Sequence, residues 1–306
     1  MTVESDPLAE PGRRAPRWRD LLSLTRPGQW AKNPFVVPVA LLDLPVWSVA
    51  GAARLLWAVA AFTMASALVY IVNDILDRHR DRAHPTKRRR PIAAGRVPVR
   101  WAVGLAVVQF GLLAGTLALQ PWQRWWPVAA YLVVAAGYSL ALKHVPLVDV
   151  FVVAAGFGLR LMQGYVVLDV DPSGWLLICV FSLCLLLTFG KRRQELVATA
   201  GAHRPALRGY TVPLIDQVMV LSAVLSVGAY LLYMRTEAPL GEYALTAAVL
   251  SAPLALFGVF RYLQVVLVDS GGDNPVRLLL RDPALVTNAL LWAALSGGFL
   301  AAARLG

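Results

Sequence analysis

Residues 55–81 read LLWAVAAFTMASALVYIVNDILDRHRD. The first eighteen of them, 55–72, carry no charge. A hydrocarbon core about 30 Å thick takes roughly 20 apolar residues in a helix, so this stretch reads as a membrane-crossing helix. Asn73, Asp74, Asp77 and Asp81 follow at once. Asn73, Asp77 and Asp81 are spaced i, i+4, i+8, which lines them along one helix face with Asp74 at its shoulder. An apolar span that ends in a ladder of oxygen ligands speaks for both the fold and the chemistry.

Outward from this stretch the apolar pattern repeats. The chain has 306 residues, 58% hydrophobic and 15% charged, with a mean hydropathy of +0.60. A soluble chain averages about 45–50% apolar and roughly 25% charged. A soluble globule, a disordered chain and a secreted disulfide scaffold are thereby excluded. The expected fold is all-α, a polytopic bundle of nine transmembrane helices over 34–50, 55–72, 101–119, 125–142, 145–168, 174–190, 212–234, 243–268 and 284–303. Pro38, Asp43 and Pro45 interrupt the first span. Residues 1–24 read as a cytoplasmic segment, disordered at its start and with a short interfacial helix at Trp18–Leu24. Residues 25–306 read as one nine-helix domain. Cys179 and Cys184 fall in one span and make neither a metal-ligand pattern nor a disulfide framework. No signal-peptide pattern opens the chain.

The net charge of +11 would suggest nucleic acid in a soluble protein. Here the placement of charge decides against it. With the N-terminus inside, the inner segments hold 23 Lys and Arg, and the outer loops hold only Arg54, Arg124, Arg235 and Arg304. That asymmetry puts the N-terminus in the cytoplasm and, after nine spans, the C-terminus outside. The inner cations can set topology, meet anionic lipid or bind an anionic substrate.

The cytoplasmic face is therefore where chemistry is expected. Successive members of the ladder are separated by about 6 Å of helix rise. Hard oxygen ligands at that spacing suit Mg²⁺, which binds few carboxylates and completes its shell with water and phosphate oxygens. Lys87, Arg88, Arg89 and Arg90 follow the ladder. They read either as topological anchors or as cations for a Mg-diphosphate. Further candidates are Tyr138 and Lys143, then Asp149 and, about 16 Å deeper along the same helix, Arg160. Asp149 with Lys143 as a structural salt bridge is the simpler alternative. Lys191, Arg192 and Glu195 end the sixth span, and Lys32 lies beside the interfacial Trp30 and Asn33. Asp269 and Asp273 read as an ordinary turn, and His79, His84, His144 and His203 as loop residues.

The run Asn73-Asp74-x-x-Asp77-x-x-x-Asp81, followed by His84-Pro85-x-Lys87-Arg88-x-Arg90-Pro91 and Gly95, resembles the first Asp-rich motif of the UbiA-type intramembrane prenyltransferases. The resemblance implies a Mg-diphosphate donor bound at the cytoplasmic mouth of a helical bundle. Asn73, Asp77 and Asp81 would be metal ligands and catalytic residues, with Asp74 as a further ligand. One departure stands out. Most members carry a second Asp-rich motif after the sixth span, where this chain has Lys191-Arg-Arg-Gln-Glu195. That feature, with Gln29-Trp30-x-Lys32-Asn33 and Asp149…Arg160, resembles the family's phosphoribosyltransferase branch. The branch implies phosphoribosyl pyrophosphate as donor, polyprenyl phosphate as acceptor and cell-wall arabinan precursors as the destination. Lys32, Lys87, Arg88, Tyr138, Lys143, Asp149, Arg160, Lys191 and Arg192 would then bind the donor. The expected setting is the plasma membrane with the site facing the cytoplasm, and a homo-oligomer is left open. The alternative is an ordinary prenyltransferase joining a polyprenyl diphosphate to an aromatic acceptor, which calls for a second acidic limb. An organic-anion transporter would need charges lining a path to both faces, and the outer loops are nearly bare of them.

The charge asymmetry yields a topological test. Soluble reporters fused after residues 85 and 201 are expected in the cytoplasm, and one at the C-terminus outside. A cytoplasmic C-terminal reporter would reduce the span count, most directly at the Pro-interrupted 34–50.

Overall fold

The computed structural model describes residues 16–36, 48–84, 86–199, 205–268 and 281–305. Among these the secondary structure is helical throughout: α1 Trp18–Leu24, α2 Val49–Leu76, α3 Arg78–Arg82, α4 Val99–Ala118, α5 Trp126–Leu140, α6 Val148–Leu168, α7 Gly174–Thr199, α8 Val212–Thr236, α9 Ala244–Leu267 and α10 Pro283–Leu305. Short 3₁₀ turns join several of them. Seven of the described helices are long and apolar enough to cross a membrane, and the apolar α5 is shorter at 15 residues. Eight of the nine expected spans thus have a helix. The ninth, 34–50, falls largely outside the described residues, beyond a 3₁₀ segment at Pro27–Val36.

The long helices are apolar over most of their surface, and for that reason many large apolar side chains face outward, among them Val107, Phe110, Leu221 and Val224. On a soluble protein such patches would drive association; against lipid they are matched to the solvent. The helix ends are set by polar chemistry. Thr211 caps α8 by accepting the Leu214 N–H at 3.3 Å, with Pro213 in the first turn. Ahead of Pro283, Asp282 pairs with Arg261 of α9 at 2.7 Å and accepts the Leu285 N–H at 2.9 Å. The Arg261 bond foremost, and the Leu285 N–H with it, hold this carboxyl below the usual carboxylate range.

The helices fall into two compact units, Met1–Ala31 with Thr63–Thr116, and Lys32–Phe62 with Leu117–Gly306. In the first, Leu24 of α1 packs with Ile71 of α2, Ala102 of α4 and the loop residues Ile92 and Val97. Arg96 ties that loop to α1 through Asp20 at 2.9 Å. In the second, one core gathers Val150, Phe189, Met219 and Tyr262 from α6 to α9. A second core, around Tyr165, Leu176 and Tyr233, lies toward the other end of the same helices. There Asp169, left-handed at φ 56°, closes α6 and accepts from Arg54 at 3.0 Å and Arg124 at 2.7 Å.

Two glycines allow close approach. A Cβ on Gly209 would overlap Pro146 Cγ, and one on Gly190 of α7 would overlap the Tyr262 hydroxyl oxygen of α9. Gly190→Ala should therefore destabilise the protein by about 1–3 kcal/mol, the usual cost of overpacking a filled core. Adding Tyr262→Phe, which removes the obstructing oxygen, should return most of the loss. Thermal unfolding in detergent checks both; an unchanged Gly190→Ala protein would deny the tight α7–α9 contact.

Candidate active site

In the first unit, α2 stops at Leu76 and Asp77 occupies the break with φ −85° and ψ 1°. The helical backbone bonds carry across it: the Asp77 N–H donates to Asn73 O at 2.8 Å and the Asp81 N–H to Asp77 O at 2.9 Å. Asp81 nevertheless belongs to a separate short helix, α3. Asn73, Asp77 and Asp81 thus stay linked by i→i+4 backbone bonds, with the turn at Asp77 between the two helices. The closely held pair is Asp74 and Asp81, exposed by only 3% and 4%. Arg90 Nη1 donates to Asp74 at 3.2 Å and to Asp81 at 2.6 Å. Arg26 Nη2 adds a bond of 2.5 Å to Asp74, and its guanidinium lies 4.7 Å over the Tyr70 ring. Asp74 and Asp81 are two helical turns apart, and Arg90 joins them. Asn73 and Asp77 are half-buried beside them.

No three Asp, Glu, His or Cys side chains converge on a metal position among the described residues. Mg²⁺ does not require three. It takes one or two carboxylates and fills its shell with water and substrate phosphate. Two buried carboxylates already sharing one cation, with Asn73 and Asp77 alongside, fit that demand. Lys87, Arg88 and Arg89 form an exposed 3₁₀ turn after α3. His84 shapes it, Nδ1 accepting the N–H of Thr86 at 3.3 Å and of Lys87 at 3.4 Å.

In the second unit, Asp149 is fully buried at the start of α6 and its two oxygens are both taken. Oδ2 accepts from Arg192 Nε of α7 at 2.8 Å, and Oδ1 from the Tyr210 hydroxyl at 2.8 Å. Tyr210 also accepts the Leu147 N–H at 2.6 Å, which holds Leu147 at φ 65° in the turn before α6. A non-glycine residue in that region persists only where surrounding contacts fix it. Burial and the bond to Asp149 push the Tyr210 phenol above its ordinary pKa, so it remains a donor.

These contacts give Arg192 and Asp149 partners within the protein. Arg192 is only 3% exposed, and besides Asp149 it bonds Glu195 at 2.7 Å. Together these bonds tie α6, α7 and the Tyr210 turn to one another. Arg193 is engaged too, by Asp216 at 2.7 Å. Lys191 differs: its side chain is 49% exposed, with a loose approach of 3.9 Å to Glu195. Tyr138 and Lys143 are half-buried at the end of α5 and in the next 3₁₀ turn, which packs against the start of α6.

Arg160 is buried deeper in α6. It donates to Asn33 Oδ1 at 3.2 Å and to Gly156 O at 2.7 Å. The rings of Tyr131, Phe62 and Phe157 lie 4.7, 5.3 and 5.5 Å from its guanidinium. Among the described residues no carboxylate pairs with it; aromatic faces supply the negative potential instead. The side chain of Lys32, and Asp269 and Asp273, lie outside the described residues. Arg26 and Tyr210 were not expected from the sequence. Their partners stand 48 and 61 residues away, and no local spacing marks either.

Residues 35–281 match the UbiA prenyltransferase family. The decaprenyl-phosphate phosphoribosyltransferase of Mycobacterium tuberculosis is 34% identical over 292 residues, covering 90% of this chain and 92% of that one. That of Mycolicibacterium smegmatis is 32% identical over 315 residues, 95% of each chain. Among solved structures, a UbiA homologue from Archaeoglobus fulgidus bound to GPP and Mg²⁺ is similar with a TM-score of 0.65 at 18% identity, covering 94% of this chain and 100% of that one. Likeness at that identity speaks for the fold.

The Asp149–Arg192 pair generates a test of its own. Asp149→Ala takes from a buried guanidinium the more buried of its two carboxylate partners, which should cost about 3–5 kcal/mol. The double variant Asp149→Ala/Arg192→Met should recover most of that loss in thermal unfolding. A double variant as unstable as the sum of the singles would deny the coupling.

Proposed function

This chain belongs to the UbiA prenyltransferase family, and on that premise we propose that it transfers 5-phosphoribosyl from phosphoribosyl pyrophosphate to decaprenyl phosphate or a similar polyprenyl phosphate. Diphosphate is released, and the product feeds cell-wall arabinan precursors. The reading rests on the end of α7. A limb that would be acidic in a diphosphate-only site is here Lys191-Arg-Arg-Gln-Glu195. With Arg192 and Arg193 engaged in buried or half-buried ion pairs, Lys191 is the exposed cation of the three and can receive a further phosphate. The phosphoribosyltransferases similar over nearly the whole chain agree with a donor that carries a phosphate besides its diphosphate.

Three anionic groups must then meet: the donor's diphosphate, its 5-phosphate and the acceptor's phosphate. Their mutual repulsion is a barrier unless cations intervene. Asp74 and Asp81, with Asn73 and Asp77 beside them, would hold Mg²⁺, whose charge when bound neutralises the leaving diphosphate. Lys87 and Arg88 supply further cations for that diphosphate. Lys191 takes the 5-phosphate, and Lys143, Tyr138 and Lys32 remain for the acceptor. At the anomeric carbon the C–O bond to diphosphate breaks and a C–O bond to the lipid phosphate forms. The electron pair leaves with diphosphate. The acceptor oxygen is already ionised at neutral pH, so no general base is needed and no histidine is recruited. On the same reading, 25–306 is one transferase domain in the plasma membrane, crossing nine times with its active site facing the cytoplasm.

Purified protein given labelled phosphoribosyl pyrophosphate, decaprenyl phosphate and Mg²⁺ should form decaprenylphosphoryl-5-phosphoribose. Label transfer from a polyprenyl diphosphate to an aromatic acceptor would favour the ordinary prenyltransferase instead. Lys191→Ala should weaken phosphoribosyl pyrophosphate binding by about tenfold to a hundredfold, since a charge-assisted bond contributes roughly 1.5–3 kcal/mol. Inorganic diphosphate binding should barely change. Equal losses for both ligands would place Lys191 on the diphosphate and remove the basis for a second phosphate.

A further inference from the structure

Arg90 closes a run of four basic residues, yet it does something its neighbours do not. Lys87, Arg88 and Arg89 are exposed, whereas Arg90 turns back so that one atom, Nη1, touches the carboxylates of both Asp74 and Asp81. That is the position between two hard oxygen ligands that a divalent cation takes. The charges there already balance: two carboxylates face two guanidiniums, Arg90 and Arg26. A divalent ion added alone would leave two excess positive charges at a locus nearly closed to water, which a low dielectric penalises heavily. A divalent ion arriving with a diphosphate brings its own compensation, provided that one guanidinium moves from carboxylate to phosphate.

We propose that Arg90 is a resident counter-cation: it holds the place between Asp74 and Asp81 until metal and donor diphosphate arrive together, and then moves onto the diphosphate. The inference rests on the reading of Asp74 and Asp81 as the metal-holding pair, and it goes further by naming what occupies that place beforehand. Arg90 is bidentate-capable and planar, and it bonds either carboxylate or phosphate oxygens in the same geometry. Its consequence is coupling. Metal and diphosphate each bind weakly alone and strengthen each other, because each removes the charge conflict that the other would create.

The test is a Mg²⁺ titration without any donor, followed by thermal unfolding of the purified full chain. A ligand that binds only the folded state raises its stability in proportion to occupancy, so the midpoint reads affinity. Arg90→Gln removes the competitor and should lower the half-saturating Mg²⁺ at least tenfold relative to the parent. Arg90→Lys, a point charge unable to bridge two carboxylates as well, should fall between them. Arg89→Gln, which removes the same charge from the exposed turn, should match the parent. Recovery of folded Arg90→Gln only when Mg²⁺ is present would support the inference equally. If it does not fold at any Mg²⁺ concentration, Arg90→Lys decides: a midpoint below the parent's supports the proposal, and one equal to it or above overturns it. An Arg90→Gln protein needing as much Mg²⁺ as the parent, or a set in which none responds, also overturns it. The transfer assay on the parent separates the two failures. Turnover with no gain in the Arg90 variants removes only the counter-cation, and a parent without turnover removes the transferase reading itself.

Discussion

Charge carried into an apolar span has no water to answer it, and the rest of this molecule is arranged around that constraint. A lone ion in such surroundings costs several kcal/mol even after relaxation. The buried ions are therefore met by partners that the chain supplies. Asp149 meets Arg192 and Tyr210. Asp74 and Asp81 meet Arg26 and Arg90. Arg160 meets three aromatic rings, a carbonyl and an asparagine. Three different chemistries serve one need, and they sort the ions by purpose. A carboxylate closed off by both a guanidinium and a phenol is structural. A carboxylate pair bridged by one partly exposed arginine can exchange that arginine for something else.

This sorting changes the picture of the basic limb at the end of α7. By charge alone Lys191, Arg192 and Arg193 look equivalent. In the fold they divide, because a helix turns about 100° per residue and carries successive side chains to different surroundings. Arg192 points into the buried contact with α6, Arg193 reaches Asp216 on α8, and Lys191 is left outside. On the proposed function, the phosphate-binding role is given to the outward one. Substituting all three together would confuse loss of the scaffold with loss of binding.

The fold was legible in the sequence wherever a physical length scale set it. Eight apolar runs became helices, because the width of hydrocarbon leaves little freedom, although the helix from Val49 starts six residues early and the one to Thr199 runs nine residues past its expected end. The site was legible only in part. The Asp-rich run was visible from spacing, but spacing did not show that Arg90 would join Asp74 to Asp81, because that arginine arrives from the following loop. Arg26 and Tyr210 gave no local signal, since what defines each is a contact across dozens of residues. Within an unbroken basic run such as Lys87-Arg88-Arg89-Arg90, periodicity cannot tell an anchor from a bridge. Arg90 became distinct from Arg88 and Arg89 only when the loop folded back.

The bond network around Asp149 has an evolutionary consequence. Arg192, Tyr210, Leu147 and Glu195 are linked through it from separate places in the chain, and Gly209 is held to a minimal side chain by Pro146. Loss of Asp149 or Arg192 alone leaves its buried partner short of a bond, so single steps there are costly while paired steps are less so. Homologous chains should therefore vary here in concert: where Asp149 is replaced by an apolar residue, Arg192 should be replaced as well. Lys191, half-exposed and touching the network only through a loose approach to Glu195, is less constrained and can vary without the scaffold having to be rebuilt.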